Sequence, residues 1–335
     1  MALTLSEMTV GMKDKVAQHI VDIFVRESEI LELLPFDNAV SPSGGSTLVY
    51  GYVQEKVPST AAFRAIGSEY THNEATLQNK TVNLKIFGGS FEVDRILRSV
   101  EAQYESLNHQ IQSKVKAAVS LFHDTMINGN SSVNADAFDG LDKMLVGTDT
   151  EYNTSSYIDL STMANLKTNA GAFYEALLKL INETNAQALM VNETMKTKIQ
   201  SVARELGYKT ESEEAFGRVV TSIGEGKVRL IDLKNKYTVS TAGGTTTVTK
   251  VPIINTTTRT INSTSVSGLT DIYAAKFDVY DGFHGVTVTG NDVITQYIPD
   301  FTQPGAVKKG EIEMVGAVCL KNTNNAGVLR NIKIA

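Results

Sequence analysis

The chain has 335 residues, enough for two medium domains or one domain with large excursions, and 42% of them are hydrophobic, ample for a packed core. Its net charge of -6, with Lys and Arg scattered, excludes a tight nucleic-acid binder, which needs a basic patch to displace counterions from phosphates. Trp is absent and Pro scarce, which argues against an aromatic sugar-binding platform and a disordered tail. Cys319 is the single cysteine, so an intramolecular disulfide or Cys-cluster zinc site is excluded and a reducing compartment is expected. The first ten residues lack a basic segment followed by an apolar core, and no run of about 18 apolar residues occurs. A soluble protein without secretory signal or membrane span is expected, made and used in a cytoplasm.

Residues 1–34 have amphipathic helical character, with Val16, Ile20, Ile23, Phe24, Ile30, Leu31 and Leu34 on the apolar face. Pro35 ends the helix, because its ring clashes with a continuing turn. This segment reads either as a helix on its own core or as an arm laid on a neighbour. Residues 41–46, SPSGGS, form a flexible joint. Strand-like runs follow at 47–57 and 81–87, where Val82, Leu84 and Ile86 alternate with Asn83 and Lys85. The long aperiodic connection between them marks a protrusion, so a long hairpin with its tip clear of the body is predicted. Gly88-Gly89 then reads as a hinge or an ordinary turn.

The best helix signal runs from 96 to 128. Val100, Tyr104, Leu107, Ile111, Val115, Val119, Phe122 and Met126 recur in steps of three and four, which keeps one apolar stripe on a helix about 50 Å long. Asp94 reads as its N-cap, and Asn128-Gly129-Asn130 as a stop in the left-handed conformation. Such a helix must lie along something. Phe138 to Leu141 opens a short turn, and 147–157 is polar linker.

Ser161 starts another helix, with Met163, Leu166, Tyr174, Leu177, Leu178 and Ile181 on its apolar side. Ala188 to Val191 reads as a buried strand, and Asn192 as the cap of a third helix that buries Met195, Ile199 and Val202 and stops at Gly207. Helix, strand and capped helix argue for a mixed α/β domain. Residues 216–233 read as strands broken at 224–226, and 238–270 as Thr/Ser-rich strands and exposed loops around Val251, Ile253 and Ile254. Strands return at 274–280, 286–288, 311–320 and 328–334, the run Glu311 to Val315 alternating as in a sheet with one wet face.

Motifs for chemistry are missing. His19, His72, His109, His123 and His284 are dispersed, and His109 and His123 lie about four helical turns apart, too far to share a metal. SIGEGK at 222–227 lacks the Walker spacing, since Val228 follows the lysine, and reads as a β-turn. Asp149, Glu151 and Asn153 lack the glycine and distal glutamate of a calcium loop, and Asp136, Asp139 and Asp142 read as turn formers and caps. No catalytic, cofactor-binding or metal residue is assigned, and no enzyme activity or cofactor is expected.

In this layout, and locally in Ala188-Leu189-Met190-Val191-Asn192 and the stretch from Glu311 to Leu320 ending in Asn331-Ile332-Lys333-Ile334, the chain resembles the major capsid proteins of tailed bacteriophages, with the Hong Kong 97-type fold. The resemblance implies an α+β fold with an N-terminal arm over 1–40, an extended E-loop hairpin over 41–90 and a P-domain with the spine helix over 91–157. A mixed α/β A-domain over 158–287 and returning P-domain strands over 288–335 complete it. It further implies self-assembly into hexamers and pentamers that close an icosahedral virion capsid around double-stranded DNA, without sequence-specific binding and without a membrane. Assembly would take place in a host bacterial cytoplasm.

Some members crosslink an E-loop lysine to a neighbour's asparagine with a glutamate as base. Lys56 and Lys80 fit the hairpin and Asn322, Asn324 and Asn325 lie near the C-terminus, but no matching glutamate is near, so the crosslink is not expected. Too little sequence precedes the hairpin for a fused scaffolding segment, so a separate scaffolding protein and a portal are the expected partners. The alternatives are an encapsulin-like compartment enclosing an enzyme, an α/β hydrolase or transferase without a local motif, and a surface adhesin, against which the missing export signal counts.

Overall fold

The computed structural model describes residues 3–4, 28–40, 48–57, 59–94, 103–208, 211–215, 218–223, 228–233, 237–240, 247–250, 252–254, 256–288, 294–300, 302 and 304–335. Two large sheets organise them. The first has six strands, built on the 14-residue strand Val307–Leu320. One edge of that strand pairs antiparallel with Lys85–Asp94, from Val307 opposite Asp94 to Gly316 opposite Lys85. Its other edge takes Ile294–Tyr297 and then Phe283–Val288, and Pro35–Val40 runs parallel to the latter.

The spine helix Gln103–Asn128 covers one face of this sheet, and its 26 residues span about 39 Å. Val115, Val119, Phe122 and Met126 are buried as their spacing predicts. The Phe122 ring is the centre of an aromatic cluster, with centroids 6.5 Å from Phe36, 5.8 Å from Phe87 and 5.8 Å from Phe138. Ser28 caps the short helix Glu29–Leu33, and Ile30, Leu31 and Leu34 pack into the same core. Pro35 ends that helix and opens the next strand. Val16, Ile20, Ile23, Phe24, His19 and Val100 lie outside the described residues, as do the side chains of Tyr104, Leu107 and His109.

Asp94 is the last residue of a strand, opposite Val307, and its expected cap on the spine falls on 95–102, outside the described residues. Three local expectations are corrected. Gly88 and Gly89 form neither hinge nor turn: both lie inside that strand, and a Cβ on Gly88 would stand 1.9 Å from the Ile312 carbonyl oxygen. The run at 81–87 is split at Leu84, so that Thr76–Asn83 pairs with the hairpin and Lys85–Asp94 with the sheet. The spine stops without a left-handed residue at Gly129 or Asn130. Glycine is needed at 129 for close approach, because a Cβ there would meet the Phe138 carbonyl oxygen at 2.2 Å.

The second sheet has nine strands, with Ala188–Val191 near its centre, flanked by Thr264–Ala275 and Val228–Asp232. All four residues of Ala188–Val191 are wholly buried, because the sheet is covered on both faces. Leu189 and Val191 join the core under the helices Met163–Thr184 and Glu193–Glu205, while Ala188 and Met190 join the core that contains the spine. Asn192 caps the second of these helices by accepting the Met195 N–H at 2.8 Å, and Gly207 follows its end with φ +78°. In the first, Phe173 and Leu180 carry the buried stripe with Leu166 and Leu177, whereas Met163 is exposed. The stripe is therefore rotated from the one predicted. The Thr/Ser-rich region folds as a two-stranded ribbon, Tyr237–Ser240 with Thr247–Lys250, and the strands Thr257–Ile261 and Thr264–Ala275. Ile253 is buried there and Ile254 exposed, while Val251 lies outside the described residues.

Candidate assembly surface

A separate two-stranded sheet leaves this body: Val49–Val57 pairs antiparallel with Thr76–Asn83. Its root is fixed by a few specific contacts. Tyr50 Oη donates to Asp37 Oδ2 at 2.8 Å, Tyr52 Oη to the Leu320 carbonyl at 3.3 Å, and Gln54 Nε2 to the Lys321 carbonyl at 2.9 Å. The Leu84 N–H closes the base on the Leu48 carbonyl at 2.9 Å. Beyond the root the chain touches little, and every residue from 59 to 79 is exposed. Among them are Phe63 at 108% and Ile66 at 106% relative exposure, with Tyr70 and Leu77, while Val53 is exposed on the facing strand. A turn at 65–68 with Gly67 at φ +87° shapes the tip, and the Arg64 guanidinium lies 5.4 Å from the Tyr70 ring centroid.

The energetics of this element are unfavourable in isolation. A lone two-stranded ribbon is marginal in water. Each large apolar side chain gains about 1.5–3 kcal/mol when it is fully buried. Five of them exposed along one protrusion form a surface built to be covered.

The second feature is a buried charged network. The Arg330 guanidinium bonds Glu151, and it lies 2.7 Å from Asp142 and 3.4 Å from Asp271. Arg259 holds Asp271 through two bonds of 2.6 Å, and Tyr273 Oη donates to Asp142 at 2.9 Å. Burial opposes the charge on Arg330, but the bond and charge of Asp142, with Asp271 behind it, outweigh that and raise its pKa. Burial and the charges of Asp271 and Asp142 push the Tyr273 phenol well above its ordinary value. Asp142 and Glu151 are thus ion-pair partners of Arg330. The signal that could have found the network is the charged residue inside the apolar run Val328-Leu329-Arg330.

Other residues singled out in the sequence fall apart. Asp139 accepts from Lys143 and the Ser131 N–H, as a turn former does. His72 is exposed at the hairpin tip, whereas His123 and His284 are buried in the body. Among the described residues no three His, Cys, Asp or Glu side chains cluster for a metal ion. Ser222 pairs with Arg229 and Ile223 with Val228 across 224–227, which lie outside the described residues. Lys80 and Thr323 line one crevice at the hairpin root, and the Asn325 amide is engaged by the Asp281 carbonyl. The side chain of Lys56 lies outside the described residues. No helix among the described residues is long and apolar enough to cross a membrane.

No protein-family model matches the chain, and no curated protein sequence does. Solved structures do match in fold. The chain is similar to the holo-SrpI encapsulin complex of Synechococcus elongatus PCC 7942, with 11% identity and TM-score 0.55 over 91% of this chain and 87% of that one. It is similar to a structure from Mycobacterium phage Ogopogo, with 12% identity and TM-score 0.52 over 91% and 92%. The satellite phage P4 procapsid, solved with its size determination protein, matches at 10% identity and TM-score 0.50 over 98% and 96%. The likeness extends over nine-tenths or more of the chain: the chain has the α+β Hong Kong 97-type fold.

Proposed function

We propose that this chain is a major capsid protein that assembles through hexamers and pentamers into an icosahedral shell around double-stranded DNA. The observation that carries this reading is the apolar hairpin left uncovered by its own body, on a chain whose fold is that of shell-forming subunits. A hairpin tip that lies on the next subunit, whose tip lies on the one after, is a heterologous contact that closes into rings. Many individually weak contacts of this kind add up through avidity. In this reading residues 1–40 are the N-terminal arm, 41–90 the E-loop and 91–157 with 288–335 the P-domain, while 158–287 form the A-domain. A separate scaffolding protein and a portal are its assembly partners, and assembly takes place in a host bacterial cytoplasm. The net charge of -6 suits a wall that admits DNA without gripping it. The role is structural and not catalytic.

The likeness to the encapsulin complex at TM-score 0.55 favours one second reading, a compartment shell enclosing a protein cargo. Electron microscopy of purified particles, followed by analysis of their contents, separates the two. Shells that hold nuclease-protected DNA when made with the neighbouring genes support the capsid reading. Shells holding a protein cargo support the compartment, and only small compact particles refute both.

A further inference from the structure

The hairpin root rests on buried titratable groups. Strand alternation places Phe36 on the spine side of the six-stranded sheet, and Asp37, His284 and Cys319 on the other face. His284 stands opposite Cys319, and Asp37 lies one register step away, opposite Val286. Tyr50 and Tyr52 of the hairpin close over this floor. The Tyr50 ring meets the His284 ring edge-on, with centroids 6.0 Å apart.

We propose that this junction is an acid-sensitive latch: His284, buried beneath Tyr50, competes with the Tyr50 hydroxyl for Asp37 when it takes up a proton, and so loosens the hairpin from the body. His284 is wholly buried, and its Nε2 has no hydrogen-bond partner among the described residues. Its Nδ1 lies 3.2 Å from the Gly282 carbonyl oxygen, so the neutral ring donates there and leaves Nε2 a bare acceptor. Protonation makes Nε2 a charged donor that must find an acceptor, because a buried charged donor without one is far costlier than a bare acceptor.

The groups facing His284 decide where that charge turns. Asp37 comes from the strand Pro35–Val40 and Asp278 from the turn before Phe283, and both favour the imidazolium. Cys319 lies opposite, and burial pushes its thiol up to about 12, so it stays neutral. Tyr52 stays neutral for the same reason. The Lys321 ammonium, 5.5 Å from the Tyr50 ring centroid, opposes a second cation. Burial, with Lys321 behind it, lowers the His284 pKa below its ordinary value. Asp37 on the shared face is the carboxylate available to the new donor, and it is occupied by Tyr50 at 2.8 Å. A charged donor that draws Asp37 toward His284 weakens the one charge-assisted bond among the root contacts named above. The latch stands on the root contacts alone and does not depend on what the tip touches.

Hydrogen exchange on the full chain tests this, corrected for the intrinsic pH dependence, between about pH 7.5 and about pH 4.5. Protection in the hairpin strands is expected to fall about tenfold or more relative to the strand Ala188–Val191, and His284→Gln is expected to remove the fall. Should that variant not fold, Tyr50→Phe is expected to show the low protection already at neutral pH, with no further loss in acid. Equal hairpin protection at both pH values, an equal fall in His284→Gln, or a fall shared equally by Ala188–Val191 overturns the latch.

Discussion

The strand Ala188–Val191 and the hairpin Val49–Asn83 both carry large apolar side chains, yet these end at opposite extremes of exposure. The strand is buried on both faces, because the helices Met163–Thr184 and Glu193–Glu205 lie on one side and the spine-side core on the other. The hairpin is held to the body at its root, by Tyr50, Tyr52 and Gln54 and by the packing of Leu48 and Val82, and it carries Phe63 and Ile66 into solvent. Apolar side chains inside the strand have their cover within the chain. Those at the tip have none among the described residues, and in the proposed reading a neighbouring subunit supplies it. The comparison separates what holds the fold from what, in the proposed reading, joins copies of it.

Mutations in the two regions should therefore fail in different ways. The largest effect is expected from Ile111→Asp with Val115→Asp on the spine. Val115 is 1% exposed and Ile111 packs half-buried against the same core, so the two carboxylates cost several kcal/mol, a large share of the usual stability of a domain. Insoluble or unfolded protein is the expected outcome, read by soluble yield and circular dichroism, and well-formed particles would contradict the spine assignment. Arg330→Ala comes next, because it leaves the buried Glu151 without its cation, removes the one beside Asp142, and leaves Asp271 with Arg259 alone. Loss of one partner of a buried pair costs about 3–5 kcal/mol, which should appear as a lower urea midpoint.

A smaller and graded effect is expected from acid. His123 on the spine is buried, with Nε2 2.6 Å from Ser28 Oγ, and burial lowers its pKa to about 3. An unfolded chain binds that proton near pH 6.5, so the neutral ring's contribution is complete above about pH 6.5 and is lost as the pH falls toward 3. Stability should decline by up to about 1.4 kcal/mol per pH unit in that window, and His123→Gln should flatten the slope in urea titrations. The smallest effect on stability is expected at the tip: Phe63→Ser with Ile66→Ser should change the unfolding free energy by less than about 0.5 kcal/mol, because neither side chain packs within the chain.

The same contrast explains which parts of the molecule could be read from the sequence. Elements with one dominant periodicity were legible: the spine stripe from Val115 to Met126, the apolar run Ala188–Val191, and the Asn192 cap. The protruding hairpin was legible through its long aperiodic connection. What failed depended on contacts distant in sequence. The carbonyl of Ile312 decides the role of Gly88, and that of Phe138 decides Gly129, so local glycine rules gave a hinge and a left-handed stop in their place. The polar floor under Tyr50 was invisible for the same reason, since Asp37, His284 and Cys319 meet only through strand register. The Arg330 network likewise joins residues up to 188 positions apart.

The most direct test of the account is electron microscopy of the purified chain beside its Phe63→Ser/Ile66→Ser variant, with the unfolding midpoints of both measured. The account predicts closed shells or hexagonally ordered particles from the parent chain, and only unassembled subunits from a variant of unchanged stability. Intact shells from the variant, or no ordered particles from the parent even with a scaffolding protein supplied, would contradict it.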